Sequence, residues 1–234
     1  MIFDLKLNLK KILCYLCIFT ILFGANAYMS YSTKTYANSS PMQKFCVVID
    51  AGHGGIDSGC VGPITNAYER DINLSIAQKI GSFLDTLGIN VVYTRTNQDG
   101  LYGTFASGFK KRDMRAREEI IKKANPNLVV SIHLNSFTSK SAKGAQVFYA
   151  LNSEISKELA QNLQDMFVEQ IAGSRKSCMP GDFYILNCTE AAGILVECGF
   201  LSNPDEEAKL VTAEYQEKIA YTITCGIINF FGLE

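Results

Sequence analysis

The 234-residue sequence predicts a single α/β domain, in which a mainly parallel sheet carries helices on both faces. Short runs rich in Val and Ile, typical of buried strands, alternate with longer segments in which apolar residues recur at helical spacing. The composition, 47% hydrophobic and 19% charged residues, is that of a globular protein with a substantial core. The sequence contains no internal repeat, and no second domain is predicted.

The first 27 residues do not fit this globular pattern. Three lysines precede an apolar run, Ile12 to Phe23, and an Ala-Asn-Ala triplet follows it. This layout is typical of a secretory signal peptide, predicted here as residues 1–27. The apolar run is shorter than the about 20 residues of a membrane span, and an uncleaved N-terminal anchor is the alternative. In both cases the chain is expected to be exported across the cytoplasmic membrane, which it contacts only through this segment.

A predicted linker, residues 28–44, separates the signal from the folded domain, residues 45–232. The linker is polar, small and aperiodic. The first strand of the domain, residues 45–49, is apolar and β-branched. The helix after it, residues 71–87, is apolar on one face and ends before Gly88, a residue type that commonly terminates helices.

The later elements follow the same two patterns. Further apolar runs of strand length are INVVYT, NLVVSIH, AQVFYA, FYIL and GILV. They are predicted as strands at residues 89–94, 127–133, 145–150, 183–186 and 193–196. The remaining predicted helices are residues 112–123, 153–171 and 205–231, and the glycine-rich stretch 97–110 is predicted to be irregular.

Charge and cysteine usage exclude some classes of function. Without residues 1–27 the chain keeps 19 of its 22 basic and 22 of its 23 acidic residues, a net charge near −3 that argues against a nucleic-acid partner. Six of the eight cysteines lie after the signal: Cys46, Cys60, Cys178, Cys188, Cys198 and Cys225. An exported protein could pair them in three disulfides, but Cys46, Cys198 and Cys225 lie in apolar segments, where buried free thiols are expected.

Ionisable residues follow three of the predicted strands. His53 lies just beyond the first strand, His133 closes NLVVSIH, and Glu197 follows GILV. Ligands bind at the carboxyl ends of strands in open α/β sheets. Glu69, at the start of the first helix, is a fourth candidate.

Each of these residues also has a structural interpretation. A single buried histidine is more often a hydrogen-bonded core residue than a ligand, and a glutamate at a helix start commonly complements the helix dipole. The glycines around His53 could form a phosphate-binding loop, but they lack the P-loop lysine and the G-x-G-x-x-G spacing. Glu197 is harder to explain structurally, because a buried carboxylate is costly unless it is paired or coordinated.

Together the four residues favour metal-assisted hydrolysis. Two histidines and one glutamate are a known ligand set for catalytic zinc, which activates water. A second carboxylate beside that water can take its proton and return it to the leaving nitrogen. The residue pattern alone leaves open whether Glu69 or Glu197 is the ligand.

Four motifs give the chain a family resemblance. In this order, VVIDAGHGGIDSG, ERDINLSIA, SIHLNS and ILVECGFLSNPDEE resemble the zinc-dependent N-acetylmuramoyl-L-alanine amidases of the AmiC-like catalytic class. The resemblance covers residues 45–232 and implies an α/β fold with about six strands. It also implies a substrate, peptidoglycan, and a reaction: cleavage of the amide between the lactyl group of muramic acid and the L-alanine of the stem peptide.

The resemblance assigns roles to individual residues. It implies that His53, Glu69 and His133 bind one zinc ion and that Glu197 is the general base. A short signal followed by one minimal domain is further similar to the spore-cortex amidases of this family. These strip stem peptides so that muramic lactam can form, and we therefore expect a role in cortex maturation and germination, in the cell wall or the forespore intermembrane space. The alternatives are a zinc peptidase of the stem peptide and a catalytically silent wall-binding protein.

Secondary features remain open to two interpretations. Asn135 is a candidate substrate contact or a turn residue, and Asp50 a support for a metal ligand or a structural strand-end residue. The run of residues 110–119 is predicted to be a solvated helix face, with a grip on acidic glycan as the alternative. Because glycine loses much backbone freedom on ordering, the loop around His53 is predicted to weaken zinc binding, and an accessory protein that orders the metal site is an expected partner.

Overall fold

The computed structural model describes residues 45–151 and 153–233. The predicted domain, residues 45–232, falls in this part of the chain. The predicted signal peptide and linker, residues 1–44, lie outside it and remain predictions. Within the described ranges, no helix combines the length and the hydropathy that a membrane span requires.

Six strands form one sheet, in the order β2-β1-β3-β6-β4-β5. Neighbouring strands are parallel except for β4 and β6, which are antiparallel. The mainly parallel sheet of about six strands is thus confirmed. The strands are β1 (Cys46–Ala51), β2 (Asn90–Tyr93), β3 (Leu128–Asn135), β4 (Gln146–Ala150), β5 (Met179–Gly181) and β6 (Ala192–Phe200).

Helices cover both faces of this sheet, as predicted. The helices are α1 (Glu69–Thr86), α2 (Phe109–Ala124), α3 (Glu154–Gln170), α4 (Tyr184–Asn187), α5 (Pro204–Leu210) and α6 (Ala213–Phe231). Helices α1 and α3 pack on one face, and α6 contacts both of them. Helices α2 and α4 pack on the other face.

The alternation of strand side chains explains the two layers. Val47 and Ile49 of β1 belong to the larger core under α1, α3 and α6, whereas Val48 between them joins the smaller core under α2 and α4. All three side chains are fully buried. A strand that is apolar at consecutive positions is buried on both faces, and this requires helices on both sides.

Local sequence sets where several helices begin and end. The Ser153 side chain accepts a hydrogen bond from Ser156 N at the start of α3, and the Asn203 side chain caps α5. The Thr212 side chain accepts from Tyr215 N at the start of α6. These caps satisfy backbone N–H groups that have no partner within the helix.

The structure corrects two sequence predictions and adds one strand that was not predicted. Residues 183–186, predicted as a strand, lie in the short helix α4, while β5 at Met179–Gly181 was not predicted. The helix predicted over residues 205–231 is two helices, because Val211 ends α5 and Thr212 caps α6. All six cysteines of the described residues are free, as predicted, and Cys46 and Cys198 are buried, but Cys225, also predicted to be buried, is only partly so.

The topology identifies the edge at which a ligand site is expected. From β1 the chain passes to β2 on one side, and β3 then lies on the other side of β1. The strand order therefore changes direction between β1 and β3, whose carboxyl ends lie side by side at one edge of the sheet. Ligands of open α/β sheets bind at such a switch point, and His53 and His133 follow or end these two strands.

Candidate metal centre

Three of the predicted residues converge at this switch point. Oε1 of Glu69 lies 3.1 Å from Nε2 of His53 and 3.2 Å from Nδ1 of His133. One ligand atom from each residue lies within 4.8 Å of the other two. Residues from β3, the start of α1 and the loop after β1 thus meet around one point.

His53 is held in an unusual backbone conformation. Its φ angle is +62°, a left-handed value that costs a residue with a Cβ about 1–2 kcal/mol. Its Nδ1 lies 3.2 Å from Oδ2 of Asp57. A carboxylate on one ring nitrogen fixes the tautomer and leaves the other nitrogen, here Nε2, free to bind a metal.

Glu69 is buried and richly hydrogen-bonded. Oε1 accepts from Leu134 N at 3.0 Å, and Oε2 accepts from Cys60 N at 2.8 Å. Burial raises the pKa of Glu69, but His133 and His53 outweigh burial and hold this pKa well below its usual range. The carboxylate is therefore charged at any physiological pH and can serve as an anionic ligand.

The position of His133 depends on the absence of a side chain at Gly52. A Cβ added to Gly52 would lie 2.2 Å from Cε1 of the His133 ring. Asn73 also contributes to this packing, because its Nδ2 donates to Gly52 O at 3.3 Å and to Glu69 Oε1 at 3.2 Å. The glycine-rich loop and α1 are thus fitted to the ligand side chains.

The three residues fit a zinc ion. Bonds of about 2.0–2.2 Å at tetrahedral angles place two ligand atoms about 3.3–3.6 Å apart. The contacts of Glu69 Oε1 with His53 and His133, 3.1 and 3.2 Å, are close to that spacing. Two imidazoles and one carboxylate are also the donor set of known catalytic zinc sites.

Glu197 stands next to the site but outside the ligand cluster. It pairs in register with His133 across β3 and β6, so both side chains lie on the same face of the sheet. Its Oε2 is buried and has no hydrogen-bond partner among the described residues. Burial raises the pKa of Glu197 to about 7, with the Glu69 charge adding to this effect and the histidines opposing it. Such a carboxyl group can gain or lose a proton near neutral pH.

Two buried arginines, which the sequence analysis missed, lie behind the loop that carries His53. Arg117 donates to the carbonyls of Ala51 and His53, and Arg95 donates to those of Ala51 and Gly52. The solvated face predicted for residues 110–119 is therefore wrong at Arg117, which is 2% exposed. Its spacing from Met114 and Ile121 places all three on one face of α2, and this spacing could have identified it.

Asp50 does not contact the ligand rings. It accepts hydrogen bonds from Thr94, Ser131 and Arg117. Burial raises the pKa of Asp50, but the Arg117 guanidinium and the hydrogen bonds outweigh burial and lower it to about 2. Asp50 reaches the metal centre through Arg117.

The side chain of Asn135 forms a hydrogen bond with the backbone of the next residue. Its Oδ1 accepts from Ser136 N at 2.8 Å, as in a turn. Its contact with substrate remains a prediction.

A cavity opens beside His53 and His133 toward α2. Its walls combine apolar side chains from α2 and α4 with charged side chains, among them Phe109, Lys110, Met114 and Ile185. Lys110 Nζ lies 3.4 Å from Oδ2 of Asp57. The cavity provides space for part of a substrate adjacent to the two histidines.

Comparison with known proteins agrees with this geometry. The sequence profile of the family described as N-acetylmuramoyl-L-alanine amidase matches residues 47–229. The germination-specific N-acetylmuramoyl-L-alanine amidase of Bacillus subtilis (strain 168) is 32% identical over 197 residues, which cover 82% of this chain and 82% of that protein.

Solved structures show the same fold. The CwlD amidase from Clostridioides difficile, in complex with the GerS lipoprotein, is 34% identical with a TM-score of 0.77, covering 82% of this chain and 100% of that chain. The catalytic domain of CwlV, an N-acetylmuramoyl-L-alanine amidase from Bacillus (Paenibacillus) polymyxa var. colistinus, is 31% identical with a TM-score of 0.70, covering 81% of this chain and 99% of that chain. The chain therefore belongs to the N-acetylmuramoyl-L-alanine amidase family and is an amide hydrolase of peptidoglycan.

Proposed function

We propose that this amidase is zinc-dependent and that His53, Glu69 and His133 hold one zinc ion. The observation that carries the proposal is the position of Glu69 Oε1, 3.1 Å from one histidine nitrogen and 3.2 Å from the other. Among the described residues, His53, Glu69 and His133 are the cluster whose ligand atoms are close enough to share an ion.

The geometry favours Glu69 over Glu197 as the third ligand. Glu69 contacts both histidines and is kept anionic by them. Glu197 lies outside the cluster and has a pKa of about 7. A group with that pKa is suited to carry a proton, whereas a permanently charged carboxylate is suited to bind a cation.

The proposed reaction divides the chemistry between the ion and the protein. When bound, zinc supplies Lewis acidity, which polarises the carbonyl of the lactyl–alanine amide and activates water. Glu197 accepts the proton of the attacking water as the oxygen joins the carbonyl carbon. Glu197 then returns this proton to the alanine nitrogen as the carbon–nitrogen bond breaks. The products are a free lactyl carboxylate and a stem peptide that begins with a free L-alanine amine.

Metal analysis tests the zinc dependence. The purified protein is expected to contain close to one zinc ion per chain after loading and to lose hydrolysis of peptidoglycan when a chelator removes it. Zinc should restore the activity. Undiminished activity in the metal-free protein would contradict the proposal.

We infer that the amidase acts in spore-cortex maturation. The support is the similarity to a germination-specific amidase of Bacillus subtilis and to the CwlD amidase of Clostridioides difficile. Removal of the stem peptide frees the lactyl carboxylate that muramic lactam formation requires. In a spore former that lacks its own germination-specific amidase, expression of this chain should restore muramic lactam and germination. Spores that remain without lactam, although the protein is present and active in vitro, would contradict this role.

A role in the spore cortex requires export of the chain and is compatible with a protein partner. We infer that residues 1–27 direct the chain across the cytoplasmic membrane, to the cell wall or the forespore intermembrane space. The CwlD amidase was solved in complex with a lipoprotein, and an accessory protein that binds beside the metal site and raises its zinc affinity is proposed here also. Its contacts would add to the hydrogen bonds that already hold the loop around His53. Zinc titration of this chain with and without the host's homologous lipoprotein tests the proposal, and equal affinities would contradict it.

A further inference from the structure

We propose that Arg117 is a positioning residue of the metal centre, which fixes the backbone of His53 in its ligand conformation before the ion binds. Arg95 adds hydrogen bonds to the carbonyls of Ala51 and Gly52. The inference rests on the proposed role of His53 as a zinc ligand. It assigns a function to a charged residue that contacts none of the reacting groups.

The two arginines hold three consecutive carbonyl groups. Arg117 Nη2 donates to His53 O at 2.5 Å, and Arg117 Nη1 donates to Ala51 O at 2.8 Å. Arg95 Nε donates to Ala51 O at 2.9 Å, and Arg95 Nη2 donates to Gly52 O at 3.0 Å. We call the segment Ala51–Gly52–His53 the ligand segment. Its carbonyls are thus fixed by two planar guanidinium groups, whose fork of donors is rigid.

Arg117 is itself fixed by two carboxylates. Its Nη1 lies 2.6 Å from Oδ1 of Asp50, and its Nε lies 2.6 Å from Oδ2 of Asp113. Asp50 is bound in turn by the hydroxyls of Thr94 and Ser131. A buried charge is tolerated when it is paired and hydrogen-bonded, and these partners leave the guanidinium one position. The ligand segment is therefore connected to β1, to Thr94 directly after β2, to β3 and to α2.

The backbone conformation of His53 explains why these hydrogen bonds are needed. With φ at +62°, His53 occupies a conformation that residues with a Cβ rarely adopt, and its neighbours in the loop are glycines. Without these hydrogen bonds, a loop so rich in glycine would populate many other conformations. In most of them the imidazole would point away from Glu69 and His133. Strained conformations persist where the surrounding structure over-determines them, and the hydrogen bond from Arg117 to His53 O acts on the strained residue itself.

Arg112 offers a matched control on the same helix. It also donates to backbone carbonyls, among them Tyr102 O at 3.2 Å, Thr104 O at 2.8 Å and Ser107 O at 2.8 Å. Those carbonyls belong to the loop before α2 and not to the ligand segment. Arg112→Met therefore shows the effect of removing a helix arginine that binds loop carbonyls. Arg117→Lys, which keeps a charge beside Asp50 and Asp113, separates loss of the ion pairs from loss of the contacts to the ligand segment.

The experiment measures zinc affinity by competition with a chromophoric chelator in the wild-type protein, Arg117→Lys, Arg117→Met and Arg112→Met. Arg117→Lys keeps the buried charge for Asp50 and Asp113 but lacks the fork that reaches Ala51 and His53. Both Arg117 variants are expected to bind zinc on the order of 10- to 100-fold more weakly, the range typical of residues that support metal ligands. Arg112→Met should retain wild-type affinity. The visible absorption of the Co²⁺-substituted proteins should change in intensity for the Arg117 variants and not for Arg112→Met.

Hydrogen exchange on the metal-free wild-type protein gives a second test that needs no variant. Gly52 N donates to Ile132 O and Gly55 N donates to Gln98 O, both on neighbouring segments, while Gly54 N donates to Asp57 O within the loop. The proposal predicts that these amides are already protected without zinc, and that zinc changes their exchange by less than about tenfold. Rapid exchange that zinc abolishes would overturn the proposal, even if the Arg117 variants fail to fold.

Two further outcomes distinguish a failure of the Arg117 proposal from a failure of the proposed metal site. A folded Arg117→Lys with wild-type zinc affinity and Co²⁺ spectrum would overturn the positioning role, provided that His53→Ala has lost the metal. If His53→Ala retains full zinc occupancy, the proposed metal site is wrong, and the positioning role falls with it.

Discussion

Glu69 Oε1 lies 3.1 Å from His53 Nε2, although the two residues belong to different elements, the first turn of α1 and the loop after β1. Their contact exists because the loop between them folds back on the start of the helix, where Cys60 N donates to Glu69 Oε2 and Glu69 N donates to Cys60 O. The candidate metal centre is thus assembled by the loop and the helix start together, and β3 adds His133.

The first prediction concerns the ligands. His53→Ala, Glu69→Ala and His133→Ala should each lower zinc affinity strongly, because each removes one of three protein ligands. The measurement is metal content after dialysis against a moderate chelator, with far-UV circular dichroism to show that each variant is folded. Full zinc occupancy in Glu69→Ala would contradict the assignment of that residue.

The second prediction concerns the proton carrier. Glu197→Gln should keep the fold and the bound zinc but lose activity by a factor on the order of 10² to 10⁴, because an amide cannot accept and return a proton. Turnover of peptidoglycan and zinc content are measured on the same preparation. Loss of the metal in this variant would instead identify Glu197 as a ligand, and Glu69 would then need another role.

The third prediction concerns acid stability. The pKa of Asp50 in the folded protein is about 2, below its ordinary value of about 3.9. Asp50 therefore stabilises the fold above pH 4, and this contribution, about 2 kcal/mol, is lost as the pH falls from 4 toward 2. Urea unfolding of the metal-free protein at several pH values measures the loss.

Asp50→Asn provides the comparison for that measurement. At pH 7 it should be less stable than the wild-type protein by about 3–5 kcal/mol, since Arg117 loses a buried partner. Between pH 4 and pH 2 it should lose less stability than the wild-type protein, because the titrating group is gone. Equal losses in the two proteins would show that Asp50 is not the group responsible.

The fourth prediction concerns the domain boundary. A chain that starts at Ser40 should be soluble and active, because the sequence places signal and linker before the first strand and the core begins with Cys46 and Val47. Gel filtration and an activity assay test this. Aggregation of the shortened chain, with the longer one well behaved, would place part of the linker in the fold.

The central strands and the convergence of His53 and His133 could be predicted because their signals are local. β1, β3 and β6 are apolar on both faces, and both histidines of the sequence end or follow such a strand. The role of Glu69 as a ligand, by contrast, was implied only by the family resemblance. The site follows from the topology, which brings the carboxyl ends of β1 and β3 to one edge. The meeting of His53 and His133 is thus encoded in two short stretches of sequence.

The edge of the sheet could not be predicted in the same way. FYIL, residues 183–186, is four apolar residues long, and a run of this length is compatible with a strand or with a helical turn. β5 consists of Met179, Pro180 and Gly181, and proline and glycine are disfavoured in strands. Its pairing with β4 depends on tertiary contacts that leave no periodic signal.

The buried arginines show a further limit of sequence patterns. Helix α2 is densely charged, and such a segment favours a solvated surface. Arg117 can be buried because the carboxylate of Asp50, which is distant in the sequence, forms an ion pair with its guanidinium group. The helical spacing of Met114, Arg117 and Ile121 indicates a buried face, but local sequence does not identify Asp50 as the distant partner of Arg117.

Mass spectrometry of the products tests the account most directly. Purified peptidoglycan is digested with the zinc-loaded protein, with the metal-free protein and with Glu197→Gln, and the soluble fragments are analysed. The account predicts stem peptides with a new free L-alanine amine, produced by the zinc-loaded wild-type protein and nearly absent from the other two digests. New amines at another residue of the stem peptide, new reducing sugar ends, or no products at all would contradict it.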